Sequence, residues 1–135
     1  MILVDSSVWI AYFNNSNVWQ VAFLDFLLGH EPLVIGDLIV SEVLQGFKLD
    51  KDFETAKELL SSLEICEMGG YGNAVKSAEN YRILRKAGIT VRKTIDVIIG
   101  TYCIENDLQL LHDDRDFVPM EEILHLKCCK SEYFK

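Results

Sequence analysis

The chain has few prolines, no paired cysteine spacing and no long apolar run. Two prolines in 135 residues, half of them apolar, exclude a disordered composition and leave enough material for a packed core. No apolar run approaches the roughly 20 residues that span a bilayer, and the opening MILVDSSVWIAYF lacks the basic start of a secretory signal. A cytoplasmic protein with no membrane partner is expected, folded as a single domain over residues 1–135. Cys66, Cys103, Cys128 and Cys129 show no CxxC spacing, and the adjacent pair is poorly placed to bridge itself. Reduced, mostly buried thiols are expected, and zinc is not indicated.

Positive charge is also scarce. Thirteen Lys and Arg against 21 Asp and Glu give a net charge of -8, yet residues 76–93 hold six bases (Lys76, Arg82, Arg85, Lys86, Arg92, Lys93) and one acid, Glu79. A globally acidic protein suits long non-specific duplex contacts poorly, but a local basic stripe can hold phosphates. A solvated helix face accounts for such a run equally well.

What is present is an alternation of strands and helices. The apolar run ILV at 2–4 predicts a strand buried on both faces. SSVWIAYF and VWQVAFLDFLL carry helical spacings on either side of the turn-like NNSN. PLVI at 32–35 predicts a second strand, Asp37 an N-cap for LIVSEVLQGF, and KLDKDFETAKELLSSL an amphipathic helix before the short strand EIC. Residues 71–87 predict another helix closed by Gly88 at the C-cap, and Thr94 caps IDVIIGTYCIEND. The strand LQLLH, a short helix EEIL and a possible edge strand HLKCC complete the chain. This pattern predicts an α/β fold with a parallel sheet and helices on both sides, and ligands in such sheets bind beyond the carboxyl ends of the strands.

Single acids interrupt apolar sequence at three places. Asp5 is the only charged residue among the first 24, Glu42 the only one over residues 38–47, and Asp96 the only one over residues 94–104. A fourth place, LLHDDRDF, gathers Asp113, Asp114 and Asp116 after a strand. A buried unpaired carboxylate costs several kcal/mol, so each must find a base, several N–H donors or a cation. Local partners exist in principle: Asp5 capping the next helix, Arg92 pairing with Asp96, Glu42 facing solvent. Their convergence on one rim favours a shared cation instead. Gly46 and Gly100, each four residues after an acid, leave room for a close approach on the same helix face, or serve helix packing. The donors are carboxylates with no His or Cys pattern, which suits Mg²⁺ or Mn²⁺, and DDRDF lacks the Gly and Glu of an EF-hand.

In order, VDSSVWI, VSEVLQG, TIDVIIGTYCIEND and LLHDDRDF resemble the four acidic motifs of the PIN-domain ribonucleases, specifically the VapC toxins of type II toxin-antitoxin systems. The resemblance covers nearly the whole chain. It implies a PIN-like three-layer α/β/α sandwich with a mostly parallel central sheet. It also implies an acidic quartet of Asp5, Glu42, Asp96 and Asp114 around Mg²⁺ or Mn²⁺, with Asp116 an accessory acid, Ser6 the hydroxyl supporting the first Asp, and Asp113 outside the pattern. Implied with it are cleavage of RNA by metal-activated water, homodimers and inhibition by a VapB-type antitoxin. Phosphate binding is assigned to Arg92 and Lys93, with Arg82, Arg85 and Lys86 further out. A structured RNA such as tRNA is the expected substrate. Trp9, Trp19, Phe23 and Phe26 are expected in core, dimer or antitoxin contacts rather than stacked on bases. A phospho-receiver domain would want an acidic pair at the first strand, and a haloacid dehalogenase Asp-x-Asp; the sequence has Asp5 alone, in DSS. A PIN domain that binds RNA or a partner without cutting is the remaining alternative.

Overall fold

Three apolar runs and the exposed EIC become four short strands in the computed structural model, which describes residues 1–133: β1 (Ile2–Val4), β2 (Leu33–Gly36), β3 (Glu64–Cys66) and β4 (Gln109–Leu111). All pair in parallel in the order β3-β2-β1-β4, with Leu3 opposite Val34 on one side and Leu110 on the other. Leu3, Val4, Val34, Ile35, Leu110 and Leu111 are buried, as strands covered on both faces must be.

The helices are α1 (Ser6–Phe13), α2 (Trp19–Leu27), α3 (Asp37–Leu44), α4 (Asp50–Ser61), α5 (Tyr71–Lys86), α6 (Thr94–Glu105) and α7 (Val118–Leu124). They pack in two groups that flank the sheet: α1 meets α2 and α3, with α3 against α4, while α5 meets α6 and α7. The α6 sequence is apolar almost all round, and the helix is accordingly the most enclosed, with Asp96, Val97, Ile99, Gly100, Thr101 and Cys103 buried. No helix among the described residues is long and apolar enough to cross a membrane.

The chain steps from β1 to β2 to β3, then returns to the other side of β1 as β4. This reversal opens a crevice at the carboxyl ends of β1 and β4, where a doubly wound sheet binds its ligand. The Asp5 N–H donates to the Leu111 carbonyl at 2.9 Å and joins the two strand ends there.

Several local details depart from the sequence expectations. Asp37 is the first residue of α3 rather than its cap; its Oδ1 accepts from the N–H groups of Leu38 (2.8 Å) and Met68 (3.1 Å), tying α3 to the segment after β3. Thr94 likewise opens α6 behind Lys93 as N-cap. Ala87 is the C-cap of α5, and Gly88 follows at φ +85; the Gly88 and Ile89 N–H groups donate to the Arg85 and Leu84 carbonyls in a complete Schellman motif. HLKCC forms one parallel bridge, Leu110 to Cys128, rather than a strand. Gly46 lies beyond the end of α3, where an added Cβ would touch only the Val43 carbonyl at 3.6 Å. Gly100 faces α7: a Cβ there would stand 2.7 Å from the Met120 sulfur, so its role is helix packing.

Candidate active site

Asp5 follows directly on β1 and is the N-cap of α1. Its Oδ2 accepts from the Ser7 N–H at 3.0 Å and the Ser7 hydroxyl at 2.6 Å. The hydroxyl that supports Asp5 is therefore Ser7, in correction of the expectation for Ser6. The reason is capping geometry, since an N-cap side chain reaches the amide two or three residues on. The Ser6 hydroxyl instead acts on Glu42, drawing its carboxyl downward. Ser7 Oγ also accepts from the Asp113 N–H at 3.0 Å, which pins the turn after β4 to the start of α1.

Asp5 is 3% exposed and Asp96 is 4% exposed, values that set them apart from ordinary surface acids. Burial pushes the Asp5 carboxyl above its usual range against the Ser7 bonds. Burial, then the Asp5 charge, do the same to Glu42, with the Ser6 hydroxyl opposing them. Asp96 is pushed up to about 6 by burial, opposed by the Lys93 ammonium and reinforced by the charges of Asp5 and Asp114. Burial would raise Asp114 too, but the Asp116 N–H, Lys93 and His112 hold it below the usual carboxylate range. Acids from the ends of β1 and β4 and from two helices thus sense one another's charge.

Two bases stand against the cluster. Lys93 Nζ lies 3.3 Å from Asp114 Oδ2 and 3.5 Å from Asp96 Oδ2. Arg92 pairs with Asp116 rather than Asp96, through Nη2 at 3.0 and 3.1 Å and Nε at 3.2 Å. Between them opens a small cavity of about 70 Å³ lined in part by Asp96, Arg115 and Asp116. Arg82, Arg85 and Lys86 are exposed along α5, with the Arg85 guanidinium 5.8 Å from the Tyr81 ring centre; they do not reach the acids.

The Asp113 side chain turns away from the cluster, accepting from Gln20 Nε2 at 3.3 Å, while Gln20 also donates to the His112 carbonyl at 3.4 Å. Gln20 is 8% exposed, and it and Ser7 are the positioning groups that sequence reasoning missed. The only local signal for Ser7 was its place two residues after the cap, and Gln20 sits 92 positions from its partner. Trp9 is fully buried against Tyr12 and Phe13, as expected for core; Phe26 is half exposed and stacks on His30.

The donors fit a divalent cation. Carboxylate oxygens of Asp96, Asp114 and Asp116 lie within 4.8 Å of one another. Asp5 Oδ1, Glu42 Oε1 and Asp96 Oδ2 are buried with no hydrogen-bond donor among the described residues, Asp96 Oδ2 having only the longer Lys93 ion pair. Buried carboxylate oxygens are rarely left so, and an all-oxygen donor set suits a hard ion.

The PIN domain profile matches residues 2–122. The chain belongs to the PIN-domain family. Among PIN-domain relatives it is 30% identical over 129 residues to Ribonuclease VapC11 of Mycobacterium tuberculosis and to VapC ribonuclease Mb1587 of Mycobacterium bovis, spanning 94% of this chain and 96% of each. The fold matches VapBC2 from Rickettsia felis, solved on a promoter DNA fragment, with a TM-score of 0.76 at 17% identity over 96% of this chain and 98% of that one. It also matches VapC20 of M. tuberculosis, a sarcin-ricin loop cleaving toxin, with a TM-score of 0.68 at 13% identity over 87% and 93%.

Proposed function

We infer that this PIN-domain chain is the endoribonuclease toxin of a VapBC-type toxin-antitoxin pair, with Asp5, Glu42, Asp96 and Asp114 holding Mg²⁺ or Mn²⁺. The reading rests above all on the buried oxygens of Asp5, Glu42 and Asp96 that accept no hydrogen bond from the described residues. A bound divalent cation supplies Lewis acidity toward a phosphodiester and a water of lowered pKa. Clustered acids that repel one another become ligands in its presence, which offsets the cost of their burial.

The chain's own groups do the rest. Ser7 holds the Asp5 carboxylate in orientation and fixes the turn that carries Asp114. Asp116 acts as an accessory acid that anchors Arg92 beside the cluster. Lys93 and Arg92, both exposed, bind phosphates flanking the scissile bond, and Arg85, Lys86 and Arg82 extend the track along α5. Hydrolysis leaves a 5′-phosphate and a 3′-hydroxyl. An RNA loop, whose splayed bases admit a nuclease, is the substrate class, with tRNA one such structured RNA. VapC20 cleaves such a loop, and the R. felis neighbour is a VapBC complex. A VapB-type antitoxin, a homodimer and a cytoplasmic site of action complete the proposal.

The test is cleavage of total RNA by the purified chain, freed of any antitoxin, with Mg²⁺ or Mn²⁺ supplied and then chelated. Cleavage that requires the ion and is lost in Asp96→Asn is expected. Intact RNA in both metals, or equal cutting by Asp96→Asn, overturns the reading.

A further inference from the structure

A second group of metal-ligating side chains lies beside the acidic cluster. His112 follows β4, Glu121 sits in α7 and Cys128 makes the parallel bridge to Leu110. A ring nitrogen, a carboxylate oxygen and the Cys128 sulfur lie within 4.8 Å of one another, and all three residues are half-buried. We propose that His112, Glu121 and Cys128 form a binding site for a borderline divalent cation, zinc in particular, that is separate from the carboxylate cluster and antagonistic to it.

The donor chemistry sets the ion. Nitrogen, sulfur and oxygen together suit zinc, whereas Mg²⁺ shuns thiolate, so the two sites select different ions. A tetrahedral zinc with bonds of about 2.0–2.3 Å holds its ligand atoms roughly 3.5 Å apart, so the three side chains need only a small inward rotation. Their backbones are already fixed around that space: Leu110 N–H donates to Lys127 O and Cys129 N–H to Leu110 O, both at 2.9 Å, and Leu126 N–H donates to Met120 O at 3.2 Å. Glu121 carries an ion pair with Lys130, whose side chain is 44% exposed and free to swing into water when a dication replaces it. Cys129 points elsewhere, its sulfur 3.7 Å from Gln109 Oε1.

The antagonism follows from one hydrogen bond. His112 Nδ1 accepts from the Asp114 N–H at 3.1 Å, so Nε2 is the ring nitrogen left to face a cation. An imidazole that ligates through Nε2 carries its proton on Nδ1 and can no longer accept there. Zinc therefore breaks the bond that shapes the turn holding Asp114, and coupling between two binding sites is reciprocal. The site does not depend on the nuclease reading and its test is spectroscopic; the antagonism rests on that reading's Mg²⁺ site.

The full chain is titrated with Co²⁺ in the absence of Mg²⁺; of the two groups only that of His112, Glu121 and Cys128 includes a thiol, so only it can give a thiolate band. A thiolate-to-cobalt charge-transfer band, displaced by zinc, is expected for the parent and for Cys129→Ser and absent from Cys128→Ser. In equilibrium dialysis, Glu121→Gln weakens zinc retention by more than about tenfold. No band in the parent, a band that survives Cys128→Ser, or zinc retention unchanged in Glu121→Gln overturns the site. Should Cys128→Ser fail to fold, the parent's band and the Glu121→Gln dialysis decide. Zinc is also expected to weaken Mg²⁺ binding to the parent; an unchanged Mg²⁺ affinity overturns the antagonism.

Discussion

The two ends of the sheet treat charge in opposite ways. At the amino ends of β1 and β4, Asp107 and Lys127 pair at 2.7 Å with side chains 82% and 66% exposed, beside an open hollow bordered by Met1, Glu31 and Pro32. Water solvates both partners there, and the pair sits where it costs nothing to keep. At the carboxyl ends, Asp5 and Asp96 are almost wholly buried, each with an oxygen that accepts no hydrogen bond from the described residues. Charge placed where folding must work against it marks the end of the molecule built to bind something.

The sharpest way to break this contrast is Asp96→Asn. RNA cleavage should fall by at least about a hundredfold, because a metal ligand is lost. The metal-free chain should become more stable by about 1 to 2 kcal/mol at neutral pH, because a buried charge is removed. A loss of activity with no gain in denaturant midpoint would mean that Asp96 is compensated as fully as Asp107.

The second test is pH. Asp96 ionises near 6 in the folded chain against an ordinary 3.8, and Asp5 and Glu42 are displaced in the same direction. A carboxyl raised on folding binds more protons folded than unfolded, so the metal-free protein should lose stability as pH rises from about 4 to about 6. Mg²⁺ affinity should climb over the same window as the ligands ionise, and plateau above it. Thermal melts and calorimetric Mg²⁺ titrations measure both. A metal-free melting temperature that rises through this window would contradict the burial argument.

Ser7→Ala should cost about 1 to 2 kcal/mol in urea unfolding, since it removes a hydroxyl bonded to a buried carboxylate and to the Asp113 amide. Ser6→Ala should cost less. Lys93→Met should strengthen Mg²⁺ binding by about two- to fivefold, because the ammonium competes with the ion from a half-exposed position, and should weaken RNA binding in filter assays. At the far end, Lys127→Ala should leave the melting temperature unchanged within experimental scatter. A clear drop there would erase the contrast between the two ends.

The acids were legible because they break apolar periodicity: Asp5 after ILV, Asp96 within an apolar helix and the triple Asp after LLH all announce themselves locally. The strands were legible for the same reason, since a run buried on both faces has few compositions open to it. The caps were less so. Asp37 and Thr94 are of cap-forming types, yet each falls one residue inside its helix, because helix ends are settled by whichever backbone groups find partners. Gly100 was read with two roles open, and the Met120 sulfur across from it decides for packing.

By itself the sequence determined which residues resist burial and the helix-strand rhythm that carries them to strand ends, because both depend on neighbours within a few positions. The tertiary structure alone decided the pairings. Lys93 with Asp114, Arg92 with Asp116, Gln20 with the His112–Asp113 turn, and the meeting of His112, Glu121 and Cys128 join residues from different elements. Such contacts depend on how α6, α7 and the strand ends stack and on which rotamers that stacking permits, and local periodicity carries no trace of either.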